Sequence, residues 1–405
     1  MSWKLRDYLE QVRDAIEYKE GATLASLLSI TSADNRQRIA QAFRANPRLN
    51  VNSEVSFLAP PWNDILANLV KAAQAYDNNH FAEAYGCLVT TFLGFLHDFR
   101  NSETPWNMRA VHMLSKDMKI LAEKADQELG LEGSEEGKQY DVGRRLNGAF
   151  PAFGSKVKRP GMLFIVNLLF RIYFRLNTIK LCRNLINVIE PRAPAVGTDF
   201  STFPAGERVT YCFYTGRLAV FDDDFVRANQ QLSFAFEHCH RNHARNQRRI
   251  LKYLIPVKLT LGSLPNLDLV RRHNLTEYED FVVAVRTGNI QLFERALETN
   301  EVRFLKSGVY LTLERLRAYV YRTLIKRIAS IQAQRQPDTW HQMKLSLIRT
   351  ALKSLGDEMD DDEVECLLAN LIYRGAIKGY LHHRNKIMVL GKTGAFPKLS
   401  TLSPS

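Results

Sequence analysis

The stretch VECLLANLIYRGAIKGYLHHRNKIMVLGKT, residues 364–393, changes its hydrophobic period part-way along. Val364, Leu367, Leu368, Leu371 and Ile372 recur at helical spacing, and Gly375 is a residue that readily ends a helix. AIKGYLHH and KIMVL follow, two short runs rich in β-formers on either side of Arg384-Asn385. The closing Gly391-Lys392-Thr393 invites comparison with a phosphate-binding loop. That loop needs a glycine five residues before Gly391, and position 386 is lysine. It also needs a helix after the Lys-Thr pair, which GAFPKLSTLSPS does not easily begin. Lys392 therefore reads as a charge at the trailing edge of a hairpin.

Working outward, HQMKLSLIRTALKSLG puts Met343, Leu347, Ile348, Ala351, Leu352 and Leu355 on one helical face, closed by Gly356. The acids of DEMDDD then suit the start of the next helix, where the macrodipole favours negative charge. Helix, turn, helix and two-stranded hairpin is the plan of a winged helix, which serves both nucleic-acid reading and protein contacts. Pro337 ends the preceding helix. The winged helix is thus expected over 336–399, with a tail at 400–405.

Helical periodicity dominates the rest of the chain. Residues 4–18 space Leu5, Tyr8, Leu9, Val12 and Ile16 helically. Trp62 to Phe99 reads as two helices turning at Asp77-Asn78-Asn79, and Met108 to Leu129 as another. GLEGSEEGKQYDVG reads as a mobile loop, and FPAFGSKVKRPG as a second soft region. From Met162 the helices come in pairs, interrupted by the Pro-rich connection EPRAPAVGTDFSTFPAGE. In YCFYTGRLAVFDDDFVRANQQLSFAFEHC, Tyr214, Gly216, Ala219 and Phe221 face Phe225, Ala228, Leu232 and Ala235 across an Asp-rich turn. Small residues at such positions let two helices approach closely, as in tetratricopeptide-like pairs. Further pairs turn at Gly262/Pro265 and at Thr287-Gly288-Asn289, and a long helix is expected from Val302 to Gln334. A helix pair with one apolar stripe must stack on its neighbours to bury it. The expected fold is mainly α: a TPR-like α-solenoid of helix pairs capped by a C-terminal winged helix. Repeats would occupy 1–160 and 161–335.

With 405 residues the chain exceeds one ordinary core, and 45% hydrophobic with 24% charged residues is the balance of a soluble protein. No apolar run reaches the roughly 18 residues of a membrane span; Gly161 to Phe170 already holds Asn167 and meets Arg171. The N-terminus MSWKLRDYLEQVRDAIEYKE lacks an apolar signal core. Cysteines at 87, 182, 212, 239 and 366 form no CxxC pair, the usage of reduced thiols. An intracellular protein is expected. The net charge of +12 points to an acidic partner.

GMLFIVNLLFRIYFRLNTIKLCRNLI, LSFAFEHCHRNHARNQRRILKYLIPVKLTLGSLP, LERLRAYVYRTLIKRI and LLANLIYRGAIKGYLHHRNKIMVL resemble the PCI-domain-containing protein 2 family over roughly residues 160 to 399. A fainter likeness in FAEAYGCLVTTFLGFLHDF and ETPWNMRAVHMLSKDMKILAEKAD extends it N-terminally. The resemblance implies a PCI domain, the module shared by subunits of the proteasome lid, the signalosome and translation initiation factor three. It implies a non-enzymatic scaffold subunit like that of the nuclear mRNA export complex called transcription-export complex two. Such a subunit grips a helical scaffold protein and a small acidic proteasome-lid-type subunit. It contacts RNA or DNA at the nuclear pore through its winged helix, so nuclear localisation is implied. The related signalosome-associated subunit twelve suggests an alternative, a signalosome- or splicing-associated subunit with protein contacts only. A third reading is a winged-helix transcription regulator.

Residue by residue, Arg374, Lys378, Arg384, Lys386 and Lys392 gather at the end of the second helix and on the wing, and Lys344, Arg349 and Lys353 flank them on the preceding helix. Flexible cations of this kind give affinity for phosphate without sequence choice. Arg241, Arg245, Arg248, Arg249 and Lys252 start a repeat helix and could meet nucleic acid or pair with the acidic subunit, the second being the preferred expectation. The acids of the 361–373 helix argue against base reading.

Other constellations carry less. His238, Cys239, His240 and His243 cannot converge as metal ligands from one helix end, and consecutive His382-His383 face apart. Asp222–Asp224 and Asp360–Asp362 lack calcium-loop spacing and read as turns and caps. Tyr211/Tyr214 and Tyr319/Tyr321 fit repeat packing better than base stacking. No hydrolytic or dinucleotide-binding motif occurs, so neither catalytic residues nor a cofactor is expected.

Overall fold

The structure, a computed structural model, describes residues 5–46, 49–190 and 200–401. It forms two compact units, residues 1–211 and 212–405. In the first, the helices are α1 (Leu5–Glu17), α2 (Gly21–Leu28), α3 (Ala33–Ala45), α4 (Val51–Glu54), α5 (Trp62–Asp77), α6 (Phe81–Asn101), α7 (Met108–Leu129), α8 (Lys138–Asn147), α9 (Met162–Arg175) and α10 (Ile179–Ile189). α11 (Ala205–Phe221) runs across the boundary. The second unit holds α12 (Phe225–His238), α13 (Ala244–Thr260), α14 (Leu267–Arg272), α15 (Glu279–Thr287), α16 (Ile290–Ser307), α17 (Tyr310–Glu314) and α18 (Arg317–Arg335). It closes with β1 (Gln342–Lys344), α19 (Leu345–Ser354), α20 (Asp361–Tyr373), β2 (Gly379–His382) and β3 (Ile387–Leu390). The fold is mainly α, as the periodicity implied. Part of the Pro-rich connection, 191–199, lies outside the described residues.

Helices pack on their sequence neighbours: α5 on α6, α6 on α7, α8 on α7 and α9, α12 on α13, and α15 on α16. The small residues act where the pattern placed them. A Cβ on Gly216 would lie 2.7 Å from Leu232 Cγ, so α11 and α12 meet at van der Waals range there. The five cysteines are unbridged. Among the described residues no helix is long and apolar enough to cross a membrane.

Three expectations change. The expected loop GLEGSEEGKQYDVG contains the start of α8. Asp126 on α7 caps that helix, accepting from Gln139 N and Nε2 at 3.1 Å each and from Lys138 N. The cap comes from another helix, so the local sequence did not announce it. The long helix expected from Val302 breaks at Gly308, whose φ of 76° ends α16 in the left-handed region. α17 intervenes before α18 begins. Met343 is on a strand, not a helix face. β1 pairs with β3 through Met343↔Met388, making a three-stranded antiparallel sheet of order β1-β3-β2 instead of a two-stranded hairpin. A three-residue strand whose partner lies far along the chain has no periodic signal of its own.

Candidate nucleic-acid interface

α20 is built by its acids. The Asp360 carboxylate accepts from Asp362 N at 2.9 Å and Glu363 N at 2.8 Å, while Asp360 N donates to Glu363 Oε2 at 2.9 Å, a reciprocal capping box. Val364, Leu368 and Leu371 turn inward and fix the helix against the domain core. Its exposed face carries Asp362, Glu363, Cys366, Asn370 and Tyr373. That face is negative at its first turn, which disfavours its entry into a groove lined by phosphates.

The strand register sorts the expected cations. Gly379 opposes Leu390, so Lys378 and Lys392 flank one end of the β2–β3 hairpin, with Arg374 just before them at the end of α20. The backbone joins this end tightly: Lys378 N donates to Ala395 O and Gly391 N to Lys378 O, both at 2.8 Å. Lys344 opposes Ile387, so Lys344, Arg384 and Lys386 lie at the other end. Three residue steps along β3 separate the ends by about 10 Å. Arg349 and Lys353 sit apart on α19.

Ion pairing divides them again. Arg349 pairs with Asp361 at 2.8 Å and Lys353 with Glu358 at 3.2 Å. Lys386 lies 3.0 Å from both Asp362 and Glu365, and these hydrogen bonds raise its pKa. Arg374, Lys378, Arg384, Lys392 and Lys344 are exposed and make no ion pair among the described residues. Two aromatic side chains join them. Tyr373, beside Arg374, is 91% exposed, and Tyr380 on β2 is 60% exposed. Tyr380 shares the outer sheet face with Val389 and Gln342, its partners in register. Exposed tyrosines beside free cations can stack on bases while the cations meet phosphates. The sequence held a signal for both: Tyr373 falls off the apolar stripe of α20, and Tyr380 alternates against inward Leu381.

The other expected sites are placed as follows. Arg241 and Arg245 are exposed, ahead of and in the first turn of α13, and Arg248 donates to Asn274 O at 2.9 Å. Arg249 and Lys252 turn instead into a cleft against α11 and α16. His238 stacks on Phe234, while His240 accepts from Asn242 N and its ring centre lies 5.5 Å from that of His243. His383 binds Glu365 at 2.8 Å. Asp224 caps α12 through Arg227 N, and Asp223 pairs with Arg315 at 2.6 Å. Tyr211 packs against Phe170 and Phe200, and the hydroxyls of Tyr319 and Tyr321 bond Thr260 O and Asp357, all packing roles.

A PCI domain family model matches residues 297–392, from the latter half of α16 through the sheet. Similarity to known proteins runs much further. The chain is 40% identical to Enhanced ethylene response protein 5 of Arabidopsis thaliana, over 98% of this chain and 96% of that protein. It is 35% identical to PCI domain-containing protein 2 of Danio rerio, over 98% and 99%. The chain belongs to the PCI domain-containing protein 2 family. It is also 34% identical to Protein CSN12 homolog of Gibberella zeae, over 58% of this chain and 55% of that one. PCI domains are generally carried by non-catalytic scaffold subunits of multisubunit complexes.

Proposed function

We propose that this chain is a non-enzymatic scaffold subunit of a nuclear complex coupling transcription to mRNA export. In this reading its helical repeats hold a helical scaffold protein and a small acidic subunit, the latter along Arg241, Arg245 and Arg248. Its winged helix binds RNA or DNA without strong sequence preference, and it works in the nucleus, including at the pore. The observation that supports nucleic-acid contact is the set of five exposed cations, without an ion pair among the described residues, at the two ends of a sheet that displays Tyr380, with Tyr373 beside Arg374. The acidic face of α20 speaks against a sequence-reading transcription regulator. The test is RNA binding by the full chain across a salt series. Arg374→Glu with Lys378→Glu should weaken binding and flatten its salt dependence. Unchanged binding in that double variant would remove the nucleic-acid role.

The likeness to a CSN12 homolog supports a second reading, a signalosome- or splicing-associated subunit making protein contacts only. Purification of the tagged chain from nuclease-treated nuclear extract separates the two. The first reading expects an export scaffold with a small acidic subunit, the second signalosome or splicing subunits without them.

A further inference from the structure

Away from the winged helix, α11, α13 and α16 line an open cleft of about 760 Å³ within residues 212–405. Arg217 reaches it from α11, Arg249 and Lys252 from α13, and Arg303 and Lys306 from α16. The last four come as two pairs spaced i,i+3, so each pair presents neighbouring charges on one helix face. Among the described residues no carboxylate lines the cleft. One stands close behind it: buried Glu277 lies 3.5 Å from Arg303. Arg249, Lys252 and Lys306 make no ion pair among the described residues. The Arg217 guanidinium lies 5.0 Å from the centre of the Tyr253 ring, which holds it in place within the wall.

Like charges gathered from facing helices repel, and for Arg249, Lys252 and Lys306 no ion pair among the described residues offsets that repulsion. A ligand that removes it must bring several negative charges in a small volume. We propose that this cleft is a binding site for a compact oligophosphate. Guanidinium groups match phosphate oxygens bidentately, and lysines add point charges that follow them. The volume is that of a small-molecule site, about 300–1,000 Å³. Thr299 and Asn300 add neutral hydrogen-bonding groups, and Tyr214 an aromatic wall. An extended acidic chain has another path, along Arg241 and Arg245, which do not line the cleft. The site is therefore distinct from the acidic-subunit surface above and does not depend on the export reading.

The experiment is calorimetric titration of the full chain with sodium tripolyphosphate near physiological salt, where diffuse surface attraction is screened. One molecule per chain should bind. Arg303→Gln with Lys306→Gln should weaken binding at least about tenfold, while Arg241→Gln with Arg245→Gln leaves it unchanged. Should the first variant not fold, Arg249→Gln with Lys306→Gln, both at exposed positions, repeats the test. A parallel titration with ATP distinguishes the source of the phosphates. Affinity equal to tripolyphosphate means the phosphates alone are held, and tighter binding means the Tyr214 wall takes a base. The absence of saturable binding would overturn the proposal. So would equal weakening in both double variants, or capture of a polyglutamate peptide through Arg303 and Lys306 with none of tripolyphosphate.

Discussion

Lys386 Nζ lies 3.0 Å from Glu365 Oε2, so the cation at the hairpin tip is held against the acidic end of α20. His383 binds the same carboxylate, and together they keep Glu365 below the usual carboxylate range, the Lys386 bond contributing most. Glu365→Gln removes that charge and leaves Lys386 with Asp362. RNA affinity should then rise a few-fold, and its salt dependence should steepen by up to about one ion. Fluorescence anisotropy across a salt series measures both. An unchanged slope would mean that nucleic acid does not reach the hairpin tip.

His112 makes the first unit sensitive to acid. Its ring stacks on Phe164 at 4.3 Å, and Nε2 donates to Gly161 O at 2.9 Å. Burial pulls its pKa down from 6.5 to about 4, against a smaller upward pull from that bond. The unfolded chain thus binds a proton that the folded chain refuses, and stability falls as pH drops from 6.5 towards 4. The loss from this residue at pH 5 is about 2 kcal/mol. His112→Gln keeps a donor and cannot titrate, so its urea midpoint should fall less than that of the parent between pH 7.5 and pH 5. Equal losses would assign the acid sensitivity elsewhere.

Helix periodicity carried most of the fold into the sequence. α7 and α20 begin and end where the apolar stripe and the acids placed them, because an amphipathic helix writes its buried face every three to four residues. α8 and β1 were not legible. One is capped by Asp126 from another helix, and the other becomes a strand by pairing with a partner more than 40 residues away. The interface was partly legible. Composition identified the cations, but the ion pairs that occupy Arg349, Lys353 and Lys386 depend on how α19, α20 and the hairpin pack. Exposure of Tyr373 was legible, since it falls opposite the apolar stripe of α20.

Two glycine substitutions should move stability in opposite directions. Gly86 lies exposed within α6, with nothing within 4 Å of an added Cβ. Gly86→Ala should stabilise the protein by about 0.5–1 kcal/mol through helix propensity and a stiffer unfolded chain. Gly216 gains the same propensity, but its Cβ would press on buried Leu232 at 2.7 Å and on Gln231 Cβ at 3.2 Å. Overpacking costs about 1–3 kcal/mol, so Gly216→Ala should be net destabilising. Denaturant midpoints of the two variants test the close approach of α11 and α12. A stabilised Gly216→Ala would mean that the pair yields easily.

Arg322 ties the winged helix to the repeat helix that precedes it. The side chain leaves α18 at 5% exposure, and its Nε donates to Ala376 O at 3.1 Å. Its Nη2 donates to Pro397 O, and the guanidinium stands 5.8 Å from the centre of the Phe396 ring. Burial lowers its pKa, yet an arginine stays charged under any ordinary condition. The two carbonyls it satisfies bracket the hairpin, one just before β2 and one well after β3. Arg322→Met would keep much of the packing and leave both acceptors bare, at a cost of about 2–4 kcal/mol. Arg322→Lys should recover part of that loss, since a single ammonium can reach one carbonyl well but not span both with a fixed fork. Hydrogen exchange distinguishes a local clamp from a general core residue. In Arg322→Met, amides of 376–397 should lose protection first, while those of α5 to α7 stay as in the parent. Uniform loss across the chain would mean that Arg322 supports the whole fold, and the winged helix would then have no separate anchor at this point.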